Sequence, residues 1–551
     1  MEHTTIELLP TKAQYGRGED VVIEVRGATA GTAQLEVTRL GDVVVKVDVD
    51  DLVGPDVGDC HLSVGPLAAG GYALRLAGDG WSARTAVAVV ADPRSRLRYG
   101  FVANYRPGRV VEDVADHVRR LHLTAAQFYD WAYRHADLVG GGDEYTDALD
   151  QPVSLDTVRR LVVAVQAAGA SALGYAAVYG VGNEEWPTWQ HDALLDGEAK
   201  PYQLGDFLQL VDPAAPDWCA HFADDLAASV ERVGFDGFHL DQYGYPRFAR
   251  RADGDFVALA DAFDTMISTV RDRLPDAHLV FNNVNDFPTW TTAHSRQDAV
   301  YIEVWEPHVT LGDLGTVVAR ARAESERKPV VIAAYQSVYR AEHAAGHGAA
   351  AADRATALTM ATLFSHGATH LLAGEDGNVL VDPYYVDNHL AEPSTLDLLR
   401  RWYDFLVAHD ELLVDPSIVD VTASWSGSLN DLLDVSYPLA PTMLTATAGA
   451  VWQLVTLAAG RVVVHLVNLV GQDDTRWDAP RRPFGDPDVA TIRVRSVGPV
   501  LPRIRVADPD GDGVLIDVAV SADGLFAVAE LPPIHAWQLV TIELDAEMAA
   551  S

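Results

Sequence analysis

Two acidic residues sit where an acid is expensive to place. In Phe235-Asp236-Gly237-Phe238-His239-Leu240-Asp241-Gln242-Tyr243-Gly244, strand alternation puts Phe238 and Leu240 on one face and His239 and Asp241 on the other. In Val300-Tyr301-Ile302-Glu303-Val304-Trp305-Glu306-Pro307, it puts Val300, Ile302 and Val304 on an aliphatic face and Tyr301, Glu303 and Trp305 opposite. A carboxylate there is costly unless it is solvated, paired or used. Two carboxylates facing one gap suit glycoside hydrolysis: one attacks or stabilises the anomeric carbon, the other holds a proton for the leaving oxygen. Trp305 and Tyr301 offer Glu303 the apolar surroundings that raise a carboxyl pKa, which makes Glu303 the acid/base and Asp241 the nucleophile. Parity favours Glu303 over Glu306, which lies on a Pro-bounded loop. Asp236 has the opposite parity to Asp241 and reads as structural. His239 lies one layer deeper, as a partner of Asp241 or substrate, or as a core histidine. Mouth acids of this kind also serve some barrel enzymes as metal ligands, so the pattern alone leaves that reading open.

The elements that must position these residues follow from the rhythm of the chain. Between about 94 and 410, eight short apolar strands alternate with helical stretches: Tyr99–Asn104, Ala125–Asp130, Ala172–Val178, Phe235–Asp241, Leu279–Val284, Val300–Trp305, Val330–Tyr335 and His370–Gly374. The helical segments include Val111–Leu121, Leu155–Ala168, Trp218–Val233, Phe256–Leu274, Leu311–Glu326 and Ala350–Ser365, with a last helix capped by Ser394 and running to His409. Eight βα units in this length predict a (β/α)8 TIM barrel, whose reactive groups gather at the C-terminal ends of the strands.

Those ends carry further polar and aromatic residues. Tyr129, Asp130 and Trp131 leave the second strand, followed by His135. Tyr175 and Tyr179 mark the third, Gln242 the fourth, Asn282 the fifth, Tyr335 the seventh and Glu375 the eighth. Rings stack on pyranose faces, and amides and carboxylates bind hydroxyls in pairs, so the set suits a sugar.

Residues 1–93 read as an all-β sandwich, with strands at Val21–Val25, Ala33–Thr38 and Tyr72–Leu76. Residues 411–551 return to β, with strands at Arg461–Leu469 and Gln538–Leu544. Asp508-Pro509-Asp510-Gly511-Asp512-Gly513 imitates the start of a calcium loop, but its twelfth position is Ala519, so it reads as a hairpin turn.

Composition narrows the partners. Asp and Glu number 79 against 41 Lys and Arg, for a net charge of −38 over 551 residues. This repels nucleic acid and anionic membranes but not a neutral sugar. No apolar run reaches the ~18 residues a membrane span needs. Cys60 and Cys219 lie far apart and read as core thiols. There is no G-x-S-x-G elbow, P-loop, H-E-x-x-H or Cys-x-x-Cys, and none of the four lysines lies on an axis-facing strand position. No metal or cofactor is expected.

The segments Phe128-Tyr129-Asp130-Trp131-Ala132-Tyr133-Arg134-His135, Gly234–Gln242 and Tyr301-Ile302-Glu303-Val304-Trp305 resemble glycoside hydrolase family 66, as do Tyr403–Val407 and His465–Leu469. That family holds endo-acting dextranases and cycloisomaltooligosaccharide glucanotransferases. The resemblance spans nearly the whole chain. It implies an immunoglobulin-like N-terminal β-sandwich, the barrel, and a C-terminal Greek-key β-sandwich. It also implies a retaining mechanism on α-1,6-linked glucan, with Asp241 as nucleophile and Glu303 as acid/base and no catalytic metal. Tyr129, Asp130, His135, His239, Asn282 and Tyr335 are then candidates for holding the sugar next to the scissile bond, and Trp131 and Trp305 for stacking on it.

Two departures bear on the expected activity. Family transferases often carry a carbohydrate-binding module within the barrel. The longest connection here, 179–234, reads as helix and loop, which favours hydrolysis of dextran or isomaltooligosaccharides over cyclisation. The N-terminus Met1-Glu2-His3-Thr4-Thr5-Ile6 lacks a basic and apolar leader. The expectation is a cytoplasmic enzyme if the chain is complete, or a secreted one if a leader was removed.

Overall fold

The structure, a computed structural model, describes residues 6–27, 32–49, 60–326, 328–427, 429–496 and 500–543. The reading of Met1–Thr5 as lacking a leader, and Leu544 of the last strand, lie outside the described residues.

The centre is a parallel barrel of eight strands: β1 (Tyr99–Val102), β2 (Ala125–Phe128), β3 (Ser171–Ala177), β4 (Gly237–Asp241), β5 (His278–Asn282), β6 (Ala299–Glu303), β7 (Val330–Ala333) and β8 (Thr369–His370). Strand order equals chain order, as a barrel of βα units requires. A parallel bridge from Phe101 to Gly374 closes the ring. A side chain at Gly374 would stand 2.2 Å from the Phe101 ring, so glycine is what lets the two ends meet.

Alternation sorts each strand into two cores. Phe238, Leu240, Phe281, Val300, Ile302 and Ile332 pack outward against the helices. Tyr99, Leu173, Tyr175, Val280, Tyr301 and Val331 fill the interior. The helices follow in turn: α1 (Glu112–Arg120), α2 (Leu155–Ala167), α3 (Pro216–Val233), α4 (Leu259–Arg273), α5 (Thr289–Thr292), α6 (Leu311–Glu324), α7 (Ala350–Ser365) and α8 (Pro393–Ala408). After β5 the connection holds only a 3-10 turn at Val284–Asp286 and the single turn α5, where the alternating pattern offered no helical segment.

Local differences from the sequence expectations have simple causes. Helix α8 begins at Pro393 with Glu392 as its cap, because proline suits the first helical turn; Ser394 instead donates its hydroxyl to Asp353, 2.8 Å away. Helix α4 starts three residues late because Phe256–Ala258 pairs with Phe248–Arg250 as a hairpin. The 179–234 connection is not only helix and loop. It holds a small antiparallel sheet of Gly180–Gly182, Gln203–Leu204 and Leu208–Leu210. Cys219 is buried and donates to the Pro213 carbonyl, whereas Cys60 is only half-buried.

β-sandwiches flank the barrel. On the N-terminal side a three-stranded and a five-stranded sheet share a core of Val21, Ile23, Leu35, Val37, Leu74 and Val87. On the C-terminal side a larger and a four-stranded sheet enclose Val435, Val455, Val464, Ile492, Ile504 and Val540. The Asp508–Gly513 stretch is the turn of a hairpin between Arg503–Ala507 and Ile516–Asp517. Asp510 there accepts from Arg401 (2.6 Å) and Trp402 (3.1 Å), tying the turn to α8. Among the described residues no helix is long and apolar enough to cross a membrane.

Candidate active site

The parity of β4 and β6 carries their acids to the same end of the barrel interior. Strand β5 lies between them, and its last residue, Asn282, reaches both. Its Nδ2 donates to Asp241 Oδ1 at 2.7 Å and to Glu303 Oε2 at 2.9 Å. Those two oxygens therefore lie no further apart than the two bonds laid end to end, about 5.6 Å, against a carboxyl separation of roughly 5–5.5 Å in retaining glycosidases and roughly 6.5–9.5 Å in inverting ones. The Tyr175 hydroxyl donates to Asp241 Oδ2 at 2.7 Å, and Trp305 Nε1–H donates to Glu303 Oε1 at 3.0 Å. Each carboxyl oxygen is thus held by a donor, which fixes both groups before any ligand arrives.

Both acids line a cavity of about 210 Å³. The protein around it perturbs them. Burial pushes Glu303 up to about 7, and the negative charge of Asp241 adds to the rise. Burial also raises Asp241, to about 6, against the hydrogen bonds from Tyr175 and Asn282 that favour its ionised form. The environment thus ranks them: Asp241 ionises first and Glu303 keeps its proton longer. Asp130, at φ 42°, brings a third carboxyl to the cavity. Its pKa is raised well above the ordinary value by burial and then by the charges of Asp147 and Asp241.

Aromatic groups form the floor and walls. His239 lies below Asp241, its Nδ1 3.2 Å from the Tyr99 hydroxyl and its ring edge-on to Tyr301 at 4.7 Å. Burial lowers its pKa to about 3, so the ring is neutral near pH 7. Tyr129 stacks on Tyr385 at 4.3 Å, Tyr175 stands beside His135, and Tyr335 meets Trp305 at 5.7 Å. Trp305 remains 38% exposed, which leaves its ring open to a ligand.

The cavity brings together Tyr129, Asp130, His135, Tyr175, His239, Asp241, Gln242, Asn282, Glu303, Trp305 and Tyr335 of the expected set. Three expected residues are not there. Trp131 is fully buried behind β2, its ring 4.8 Å from Phe235 and its Nε1–H donating to the Tyr175 carbonyl. The positive φ of Asp130 ends the alternation and turns the next side chain outward. Tyr179 is fully buried as well; its hydroxyl donates to the Tyr245 carbonyl and accepts from the Tyr243 N–H, so it braces the β4 exit loop. Glu375 is spent on a buried ion pair with Arg109, 2.5 Å, and on the Asn104 N–H. Gln242 borders the cavity, but its amide is saturated by the Asn282 and Phe287 carbonyls and the Gly244 N–H. Asp236 holds the start of β3 through the Ala172 N–H at 2.7 Å.

Among the cavity residues that the sequence reading missed, which include Phe207, Tyr243 and Tyr384, is Tyr385. It comes from a turn beyond β8, and its hydroxyl lies 3.1 Å from that of Tyr301. Strand parity carries no information there; the Pro383-Tyr384-Tyr385 cluster was the only cue. Among the described residues no group of three or more His, Cys, Asp or Glu side chains is arranged to hold a metal ion.

With this geometry in view, the chain can be set beside known proteins. The sequence model described as "Glycosyl hydrolase family 66" matches residues 10–541. A cycloisomaltooligosaccharide glucanotransferase of Niallia circulans is 21% identical over 619 residues, which cover 84% of this chain and 63% of that protein. A dextranase of Streptococcus salivarius is 26% identical over 458 residues, 71% of this chain and 54% of that protein. This chain thus spans less than two thirds of the length of either. Among solved structures, a Paenibacillus sp. cycloisomaltooligosaccharide glucanotransferase complexed with cycloisomaltoheptaose superposes with a TM-score of 0.87 at 19% identity, covering 98% of this chain and 100% of that one. An α-amylase of Geobacillus thermoleovorans gives 0.52 at 12% identity, covering 82% and 99%. Likeness at such identities establishes the shared fold.

Proposed function

The chain belongs to glycosyl hydrolase family 66, and from that premise we propose that it is a retaining, endo-type hydrolase of α-1,6-glucosidic linkages in dextran or isomaltooligosaccharides. The observation that carries this reading is the single Asn282 amide nitrogen bonded to both carboxyls, which draws them to the spacing a double displacement needs.

In this reading Asp241 attacks the anomeric carbon and the C–O bond to the leaving sugar breaks. Glu303 gives its proton to the departing oxygen. Water then enters, Glu303 takes its proton, and the new hydroxyl displaces Asp241 with a second inversion, so that the product keeps the substrate's configuration. Burial of Glu303 beside an ionised Asp241 serves the first step by keeping the acid protonated. Asn282 and Tyr175 hold the nucleophile's two oxygens in place. Tyr129, His135, His239 and Tyr335 would hold the sugar at the reacting centre, with the Trp305 ring beside it. Asp130, whose carboxyl pKa is raised by burial, would hydrogen-bond a sugar hydroxyl.

A second reading, transfer to a sugar instead of water, draws on the likeness to glucanotransferases. The first reading, transfer to water, draws on the likeness to a dextranase. The test is a product profile from a panel of α-glucans, run with the wild type and Asp241→Asn. Linear isomaltooligosaccharides released by the wild type alone are the expected result. Cyclic products would favour transfer, and equal inactivity with retained binding would remove catalysis from the account.

A further inference from the structure

Beyond the catalytic cavity, a second hollow of about 340 Å³ opens past Trp305, and it is built by two domains. One wall is the barrel rim: Trp305 and Glu306 after β6, Tyr335 after β7, and Asp382 and Pro383 after β8. The other wall is Arg476, Trp477 and Asp478, which belong to a loop of the C-terminal domain. That loop is firmly placed. The Leu311 N–H donates to the Thr475 carbonyl at 2.8 Å and the Trp477 N–H to the Val309 carbonyl at 3.1 Å. Trp477 Nε1–H reaches the His308 carbonyl at 2.7 Å, and Asp478 accepts from the Val338 N–H at 2.9 Å. The cleft is therefore a fixed surface.

Three features indicate what it takes. Trp305, Tyr335 and Pro383 line both hollows, so the two adjoin across these residues. The walls set the rings of Trp305 and Tyr335 beside the Glu306 carboxylate and the Arg476 guanidinium, a mixture that suits sugar faces and hydroxyls; Asp382 and Asp478 are bonded to Arg340, Tyr384, Ser337 and Val338 and hold the walls in place. Arg476 is exposed, and among the described residues its guanidinium has neither an ion pair nor a side-chain hydrogen bond. The side of the scissile bond follows from Glu303. Its Oε2 points to Asn282 and thus toward Asp241, whereas its Oε1 is held by Trp305, whose ring borders the cleft. The leaving sugar lies on the acid's side, away from the nucleophile.

We propose that this cleft is a glucan subsite on the leaving-group side, with Arg476 of the C-terminal domain as a determinant of acceptor and chain-length preference. The inference rests on the α-1,6-glucanase reading above and extends it by giving the C-terminal domain a share of the substrate. The test compares the wild type with Arg476→Ala and Arg476→Gln on dextran and on an aryl isomaltoside, whose leaving group is too short to fill the cleft. For Arg476→Ala, kcat/KM on dextran is expected to fall about tenfold, mainly through KM, and on the aryl substrate to change less than about twofold. Arg476→Gln, which keeps donors, is expected to recover part of the loss. With isomaltotriose added as acceptor, the ratio of transfer to hydrolysis is expected to drop in Arg476→Ala. Equal losses on both substrates would make Arg476 a structural residue, and no loss on either would empty the cleft of its role; both overturn the inference while leaving the function standing. A wild type inactive on both substrates would overturn the function and this inference with it.

Discussion

Asp241 and Glu303 accept hydrogen bonds from the same nitrogen, Nδ2 of Asn282, at 2.7 and 2.9 Å. The residue that joins them ends β5, the strand between those that carry the two acids. Register alone therefore sets the gap in which a glycosidic bond would sit. In the proposed reaction, low dielectric and mutual repulsion then divide the labour between two otherwise similar groups.

That division fixes the expected pH profile. The reactive form has Asp241 ionised and Glu303 protonated. Asp241, raised to about 6, loses its proton as pH climbs, so kcat/KM rises through that value. Glu303, raised to about 7, loses its own proton above that value, and kcat/KM falls again. A narrow bell between these limbs is expected from initial rates on an isomaltooligosaccharide across the range. A plateau running unchanged to about pH 9 would contradict the assignment of Glu303 as acid.

Tyr175→Phe tests the other limb. The hydroxyl donates to Asp241 Oδ2 and favours the carboxylate. Its removal raises the pKa of Asp241, so the acid limb should move up by about one unit while the basic limb stays. An acid limb that stays put, or moves down, would place the titrating group elsewhere.

Glu303→Gln should discriminate between leaving groups. On dextran, whose leaving oxygen needs a proton, kcat/KM is expected to fall by about 10²–10⁴-fold. On an aryl glycoside whose phenolate leaves unaided, the first step should be nearly unaffected and a burst of phenol should precede slow turnover. Equal losses on both substrates would deny Glu303 the role of acid.

The two acids were legible in the sequence because β4 and β6 are clean alternations. Phe238 and Leu240, and Val300, Ile302 and Val304, can only face the helices, which sends His239, Asp241, Tyr301 and Glu303 inward. Legibility ends where the strands end. Asp130 leaves the extended region, so Trp131 turns into the outer core although its neighbours Tyr129 and Asp130 line the cavity. Glu375 looked like a mouth acid, but its partner Arg109 lies far away in sequence, after β1. Tyr385 reaches the site from a turn whose path no local pattern encodes. The wall added by Arg476 was equally hidden, because it depends on how one domain docks on another.

The closeness of β4 and β5 also makes a stability test. At Gly237 a Cβ would stand 2.0 Å from the His278 carbonyl oxygen, which is backbone and cannot move aside without parting the two strands. Gly237→Ala is expected to cost about 3 kcal/mol or more, seen as a lowered unfolding midpoint and reduced soluble yield. A variant as stable as the wild type would mean that this strand pair is looser than described.

The most direct measurement of the central claim is the configuration of the first sugar released from dextran, followed by proton NMR before mutarotation blurs it. The proposed double displacement keeps the substrate's configuration, so the α-anomer should appear first and the β-anomer only as the mixture equilibrates. A β-anomer appearing first would show single displacement by water, and the roles given to Asp241 and Glu303 would have to be abandoned.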